Sequence, residues 1–241
     1  VSAPLILGHR GARAYAPMNT LPAFDLARQQ GADGIELDVW LSKDGVPVIL
    51  HDEHVDETTD GTGSIREMTL AEIERLDAGR WFGEAFAGTR IPTLQAVFAR
   101  YPGWLINVEI KAAGDAEYDV TDGVEAAVAA LIREYDRAAH TIVSSFSMQV
   151  LRRFRALMPQ VPIGYLYYDR VPALEDPFIR ACEYLHPWEG LLTPAVVAQL
   201  AGWPINTWTV NAPERTRELA ALGVRSLITD VPDVLRAALI E

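Results

Sequence analysis

The stretch Gly34-Ile35-Glu36-Leu37-Asp38-Val39-Trp40 leads through Leu41-Ser42-Lys43-Asp44-Gly45 into Val46-Pro47-Val48-Ile49-Leu50-His51. Its first part alternates. Ile35, Leu37 and Val39 fall on one face of an extended chain, Glu36 and Asp38 on the other. An apolar face packs against helices, and an acidic face looks into a cavity. The second part is apolar and β-branched, and it follows after only five residues. Parallel strands need a crossover of about a dozen residues or more, so this link is a hairpin. Asp44-Gly45 supplies the turn. The fold-back brings His51 roughly opposite Asp38, which gathers Glu36, Asp38 and His51 by local geometry alone.

Outward from this stretch, short apolar runs alternate with amphipathic segments. Strands are expected at 5–9, 34–40, 105–111, 141–145, 162–166, 183–186, 205–210 and 226–229. Helices are expected near 20–31, 93–101, 118–135, 147–157, 170–181, 191–201, 212–222 and 231–240. Eight strand–helix repeats in 241 residues predict a TIM (β/α)8 barrel, a fold of about 250 residues with its site at the C-terminal strand ends. The hairpin strand opens a small inserted subdomain after the second barrel strand, at approximately 46–91, with a minor helix near 69–77. The chain is read as one domain, 1–241. A doubly wound open sheet would alternate in the same way, but Gly8-His9-Arg10-Gly11 lacks the spacing of a dinucleotide fingerprint.

Composition narrows the function. At 49% apolar residues the chain can build a large core, and a net charge of −12 argues against nucleic acid as a partner. The single Cys182 excludes an internal disulfide and a cysteine zinc site. No apolar run is long enough to span a bilayer. Val1-Ser2-Ala3-Pro4 shows no signal-peptide pattern. A cytoplasmic protein without integral membrane association is expected.

The strand at 105–111 repeats the acidic pattern, with Glu109 and Lys111 on one face. His9 ends the first strand, next to the second in a barrel. His9, Glu36, Asp38, His51, Glu109 and Lys111 therefore converge on one mouth. Three neighbouring carboxylates call for a cation. An all-oxygen donor set favours Mg²⁺ or Ca²⁺ over zinc. Two histidines, an ammonium and a Lewis acid are the parts needed to break a phosphate ester.

These residues resemble the glycerophosphodiester phosphodiesterases. The shared segments include His9-Arg10-Gly11, Asn19-Thr20, Gly31-Ala32-Asp33-Gly34-Ile35-Glu36-Leu37-Asp38, His51-Asp52, Thr58-Thr59-Asp60-Gly61, Val108-Glu109-Ile110-Lys111, Ser145-Phe146, Trp208-Thr209-Val210-Asn211 and Ile228-Thr229-Asp230. They run in order along essentially the whole chain. The resemblance implies a metal held by Glu36, Asp38 and Glu109, and an acid–base pair of His9 and His51. It further implies phosphate contacts from Arg10 and Lys111, a wall from Trp208 beside the alcohol, and hydrolysis of small-molecule glycerophosphodiesters to an alcohol and sn-glycerol 3-phosphate.

Two positions depart from the family pattern. Met18 stands where a glutamate is usual, and Glu57 where an arginine is usual. The departures keep a non-catalytic ligand-binding barrel as one alternative, separable by a turnover assay with divalent ions. A lysophospholipase D-like activity is the other, and it needs an apolar channel. Phe82, Phe86 and Tyr167 are candidates to line one under the insertion. His186 ends the sixth barrel strand, where it serves either substrate or structure. His54 and His140 are read as surface residues.

Overall fold

The computed structural model describes residues 3–112 and 123–240. Its strands are β1 (Leu5–His9), β2 (Gly34–Leu41), β3 (Pro47–Ile49), β4 (Leu105–Ile110), β5 (Thr141–Ser145), β6 (Ile163–Tyr167), β7 (Tyr184–Pro187), β8 (Asn206–Thr207) and β9 (Ser226–Thr229). All except β3 are parallel and run round in the order β7-β6-β5-β4-β2-β1-β9-β8. Parallel bridges Leu185–Ile205 and Trp188–Trp208 join the two ends. The result is the eight-stranded TIM barrel that the strand–helix alternation predicts.

Between the strands lie α1 (Leu21–Gln29), α2 (Leu70–Ile73), α3 (Leu94–Arg100), α4 (Val124–Glu134), α5 (Met148–Leu157), α6 (Pro177–Arg180), α7 (Pro194–Gln199), α8 (Pro213–Ala221) and α9 (Pro232–Ile240). Caps start many of them: Thr20, Thr93, Ser147, Asp176 and Thr193 each accept from a backbone N–H in the first turn. The minor helix expected near 69–77 is only the four-residue α2. The helix expected at 170–181 is only the four-residue α6. Pro172 pushes Val171 toward an extended conformation, and Pro177 can stand only in a first turn. Of the helix expected at 118–135, residues 118–122 lie outside the described residues. Of the strand expected at 205–210 only Asn206–Thr207 form β8; Ile205 and Trp208 make single bridges to Leu185 and Trp188, and the Val210 N–H still donates to Ile228 O at 2.9 Å.

The core lies between barrel and helices, where Ile35, Leu37 and Val39 pack with Phe24, Leu94, Phe98 and Val128. The inward face is small and polar at mid-height. Asn107 donates to Ser144 Oγ at 2.9 Å, and Asn206 Nδ2 meets His186 Nε2 at 3.0 Å. Gly164 is required here, because a Cβ on it would come within 2.3 Å of His186 Nε2.

The hairpin forms as the sequence dictates. β3 is antiparallel to β2, with Val39 opposite Ile49 and Trp40 opposite Val48. Gly45 takes the turn at φ +84°, and its N–H donates to Ser42 O at 2.9 Å. A separate small core of Trp40, Val48, Leu50, Val55, Ile65, Ile73, Ala78 and Ile91 packs beside the hairpin.

Candidate active site

Two adjacent strands supply the acidic centre. β2 and β4 pair in parallel with Asp38 opposite Glu109, and His9 on β1 is opposite Glu36. Carboxylate oxygens of Glu36, Asp38 and Glu109 all lie within 4.8 Å of one another, and all three residues are buried. Asp38 is the most enclosed. Its Oδ2 accepts from Asn19 Nδ2 at 2.8 Å and lies 3.2 Å from Arg10 Nε. Lys111 Nζ donates to Glu109 Oε1 at 2.9 Å and lies 3.4 Å from Asp38 Oδ1. Glu36 Oε2 accepts from the Arg10 N–H at 3.1 Å.

The loop after β1 is held in an unusual shape to make these contacts. Arg10 and Asn19 both have positive φ, 53° and 58°, a region sparsely used by residues other than glycine. The Asn19 N–H donates to Arg10 O at 2.9 Å and ties the two together. Such conformations persist where surrounding contacts over-determine them.

His51 arrives by the hairpin. The Leu50 N–H donates to Asp38 O at 3.1 Å, and Trp40 Nε1 donates to His51 O at 3.1 Å. His51 Nδ1 faces Asp52 Oδ1 at 2.9 Å. His9 Nδ1 faces Asp230 Oδ1 at 2.7 Å.

A cavity of about 340 Å³ opens above these groups. His9, Arg10, Glu36, His51 and Glu109 line its charged half; Phe146, Leu166, Trp208 and Ile228 line its apolar half. Phe146 and Trp208 meet edge to face with centroids 5.6 Å apart. Trp208 Nε1 donates to His186 O at 2.9 Å, which fixes the indole against the wall.

The electrostatics follow from burial and crowding. Burial and the charges of Asp38 and Glu109 push the Glu36 carboxyl well above the usual range. Burial also raises Glu109, with Asp38 adding to it and Lys111 opposing. For Asp38 burial is outweighed: Lys111, Arg10, His51 and Asn19 hold it below the usual range. Burial lowers His9 to about 4 against the opposing pull of Asp230, and it lowers His51 as well.

The site suits a divalent cation. Among the described residues Asp38 Oδ1 is buried without a hydrogen-bond partner, with only the Lys111 ammonium near it at 3.4 Å, beside two carboxylates that ionise reluctantly without added positive charge. The donors are all oxygen, the set that Mg²⁺ and Ca²⁺ prefer.

The structure thus brings together His9, Arg10, Glu36, Asp38, His51, Glu109, Lys111 and Trp208, at the barrel end that the strand directions require. Met18 lies beside the residues that contact Asp38, next in sequence to Asn19. Its Sδ lies 3.4 Å from Arg10 Nη1, and Glu57 is exposed in a 3-10 turn. His186 is fully buried inside the barrel and does not line the cavity, so of its two readings the structural one holds. His54 and His140 are exposed. Phe82 and Phe86 pack on each other at 5.5 Å. Neither they nor Tyr167 are among the described residues that line the cavity. Two contributors had no role from sequence: Asn19, which holds Asp38, and Asp230, which holds His9. Asp230 directly follows β9, the barrel neighbour of β1. Its place just past a strand end was the available signal.

Residues 9–234 match the Glycerophosphoryl diester phosphodiesterase family. The chain is 41% identical over 236 residues to a glycerophosphodiester phosphodiesterase of Caldanaerobacter subterraneus subsp. tengcongensis, covering 96% of each chain. It is 34% identical over 236 residues to one from Bacillus altitudinis, covering 95% of each. Its fold resembles an Oleispira antarctica phosphodiesterase solved with the product sn-glycerol-3-phosphate, at TM-score 0.88 and 31% identity, covering 99% of this chain and 98% of that one. Carboxylates, histidines, barrel and sequence agree, and the chain belongs to the glycerophosphoryl diester phosphodiesterase family.

Proposed function

We propose that the protein hydrolyses glycerophosphodiesters to sn-glycerol 3-phosphate and an alcohol, with His9 and His51 as the acid–base pair. The observation that carries this reading is that both histidines line one cavity with Glu36 and Glu109, whose carboxylates cluster with that of Asp38. A divalent cation, Mg²⁺ or Ca²⁺, held by those three carboxylates would polarise a phosphoryl oxygen and offset charge developing on the phosphoryl group. Arg10 and Lys111 add fixed positive charge on the same side and orient the phosphate.

One histidine takes a proton from the attacking O–H while that oxygen forms a bond to phosphorus; the O–H belongs either to water, which gives the products directly, or to a glycerol hydroxyl, in which case water then opens the cyclic ester by the same acid–base exchange. The bond from phosphorus to the alcohol oxygen breaks with its electron pair, and the other histidine protonates that oxygen. Both ring states are restored by proton exchange with water. Trp208 and Phe146 form the apolar wall beside the departing alcohol.

The cavity's size supports a small alcohol. At about 340 Å³ it is near the lower end of ligand pockets, roughly 300–1,000 Å³. A volume near that lower end suits a glycerophosphoryl group with a short alcohol better than one with a long acyl chain. We read residues 46–91 as an insertion within a single catalytic domain rather than as a second domain.

The test is release of glycerol 3-phosphate from glycerophosphocholine, with and without a chelator, by the native enzyme and by His9→Ala. Activity is expected to vanish in chelator, to return with Mg²⁺ or Ca²⁺, and to be lost in the variant. Turnover that survives both chelator and His9→Ala overturns the reading. Faster turnover of a long-chain lysophospholipid overturns the small-alcohol assignment.

A further inference from the structure

We infer that Asp230 is the positioning residue for His9: it fixes the ring's proton on Nδ1 and presents Nε2 to the cavity as the base. This rests on the acid–base role of His9 proposed above.

The geometry is that of an oriented imidazole. His9 Nδ1 and Asp230 Oδ1 are 2.7 Å apart. An ionised carboxylate can only accept, so Nδ1 must donate. In a neutral ring Nε2 then carries the lone pair, and the ring borders the cavity. A base oriented by a third group is a recurrent catalytic arrangement.

Asp230 is itself clamped. Its Oδ1 lies 3.2 Å from Arg13 Nε, and its Oδ2 accepts from Asn211 Nδ2 at 2.8 Å. Asn211 Oδ1 in turn accepts from the Asp230 N–H at 3.0 Å and from Thr229 Oγ1 at 3.1 Å. These contacts fix the carboxylate in place. Burial opposes its ionisation, yet His9, Asn211 and Arg13 hold its carboxyl below the usual range. The Asp230 side chain is 16% exposed, so solvent screens the pair weakly.

His51 differs. Its carboxylate partner is the adjacent Asp52, whose side chain is 45% exposed. Among the described residues no second side chain holds Asp52. The two histidines are therefore unequal, one held by a clamped and mostly buried carboxylate and the other by a more exposed one. The clamped His9 receives the proton of the attacking O–H, and His51 supplies the proton to the departing alcohol oxygen. When His9 takes that proton its new positive charge faces Asp230 directly, so the interaction strengthens as the bond to phosphorus forms.

The decisive measurement needs no variant protein beyond one for assignment. In ¹⁵N-histidine-labelled enzyme loaded with Mg²⁺, the His9 resonances are identified by their loss in His9→Gln. Nδ1 is expected to carry the directly bonded proton and Nε2 none. The opposite tautomer overturns the inference.

Kinetics give a second reading. Asp230→Asn is expected to lower kcat by about 100-fold, within the usual range for general acid–base catalysis, and to leave KM within about threefold. In a His9→Ala background the same substitution should cost nothing more, because it acts only through that ring. If Asp230→Asn does not fold, Asn211→Ala loosens the clamp and is expected to show the same pattern at smaller size. Equal losses in both backgrounds, or an unchanged kcat, refute the role of Asp230. Full activity of His9→Ala instead refutes the acid–base reading, which separates the two failures.

Discussion

Glu36→Gln is expected to stabilise the metal-free protein while it abolishes cation binding and turnover. The three carboxylates have oxygens within 4.8 Å of one another. At that distance two unit charges repel by about 3.5 kcal/mol at an effective dielectric near 20. Glu36 faces two such neighbours, and Arg10 and Lys111 offset part of the repulsion. Glu36 relieves more of it by binding a proton, which is why burial and its neighbours raise its carboxyl so far. The net gain on removing the charge is expected at about 1–3 kcal/mol, or roughly 2–4 °C of melting temperature per kcal/mol for a chain of this size. Glutamine keeps an oxygen to accept from the Arg10 N–H, now at 3.1 Å, so little packing changes. A bound cation reverses the order. The native protein gains about 2.7 kcal/mol at a hundredfold excess over Kd, and the variant, with two carboxylates left, gains much less. The assay is thermal melting of both proteins in chelator and in saturating Mg²⁺ or Ca²⁺, paired with glycerophosphocholine hydrolysis. The native protein should melt lower in chelator and higher with cation. A variant that melts below native in chelator, or that gains as much from the cation, refutes the reasoning.

Acid should weaken the fold through His186, which burial and Arg225 lower to about 3 from 6.5. The native ring stays neutral while the unfolded ring binds a proton below 6.5. This contribution is therefore complete above that pH and falls, by at most about 1.4 kcal/mol per pH unit, as pH drops toward 3. Stability measured by urea unfolding should decline less steeply between pH 6 and 4.5 in His186→Gln, and an unchanged slope counts against it. Gly164→Ala should cost about 1–3 kcal/mol or prevent folding, because its Cβ would meet His186 Nε2 at 2.3 Å; near-native melting would show that the ring has room to move. Trp208→Ala should raise KM for glycerophosphocholine about tenfold with kcat little changed, since burying much of an aromatic side chain contributes about 1.5–3 kcal/mol. An unchanged KM would remove Trp208 from the substrate wall.

Much of this site was legible because strand alternation is a local law. Glu36 and Asp38 share a face whatever the rest of the chain does, and Asp44-Gly45 folds His51 back upon them. Eight strand–helix repeats implied the barrel, and barrel direction placed His9 beside Glu36. The helix expected at 170–181 was overestimated because apolar periodicity outweighed two prolines. Met18 could be marked as a departure, but its contact with Arg10 Nη1 depends on the path of the loop after β1.

Sequence alone determined the acidic face, the hairpin, the repeat count and the residues that converge on the mouth. Tertiary structure decided their pairings. Asp38 lies opposite Glu109 because β2 and β4, more than sixty residues apart, pack in one register. His186 turned inward onto Gly164 through the pairing of β6 and β7. Asp230 reached His9 from 221 residues away because β9 closes the barrel against β1. Side-chain periodicity acts over a few residues, whereas register and closure are fixed by packing the whole sheet against its helices. That is why the histidines could be named from sequence, and why the carboxylate that orients one of them emerged only from the closed barrel.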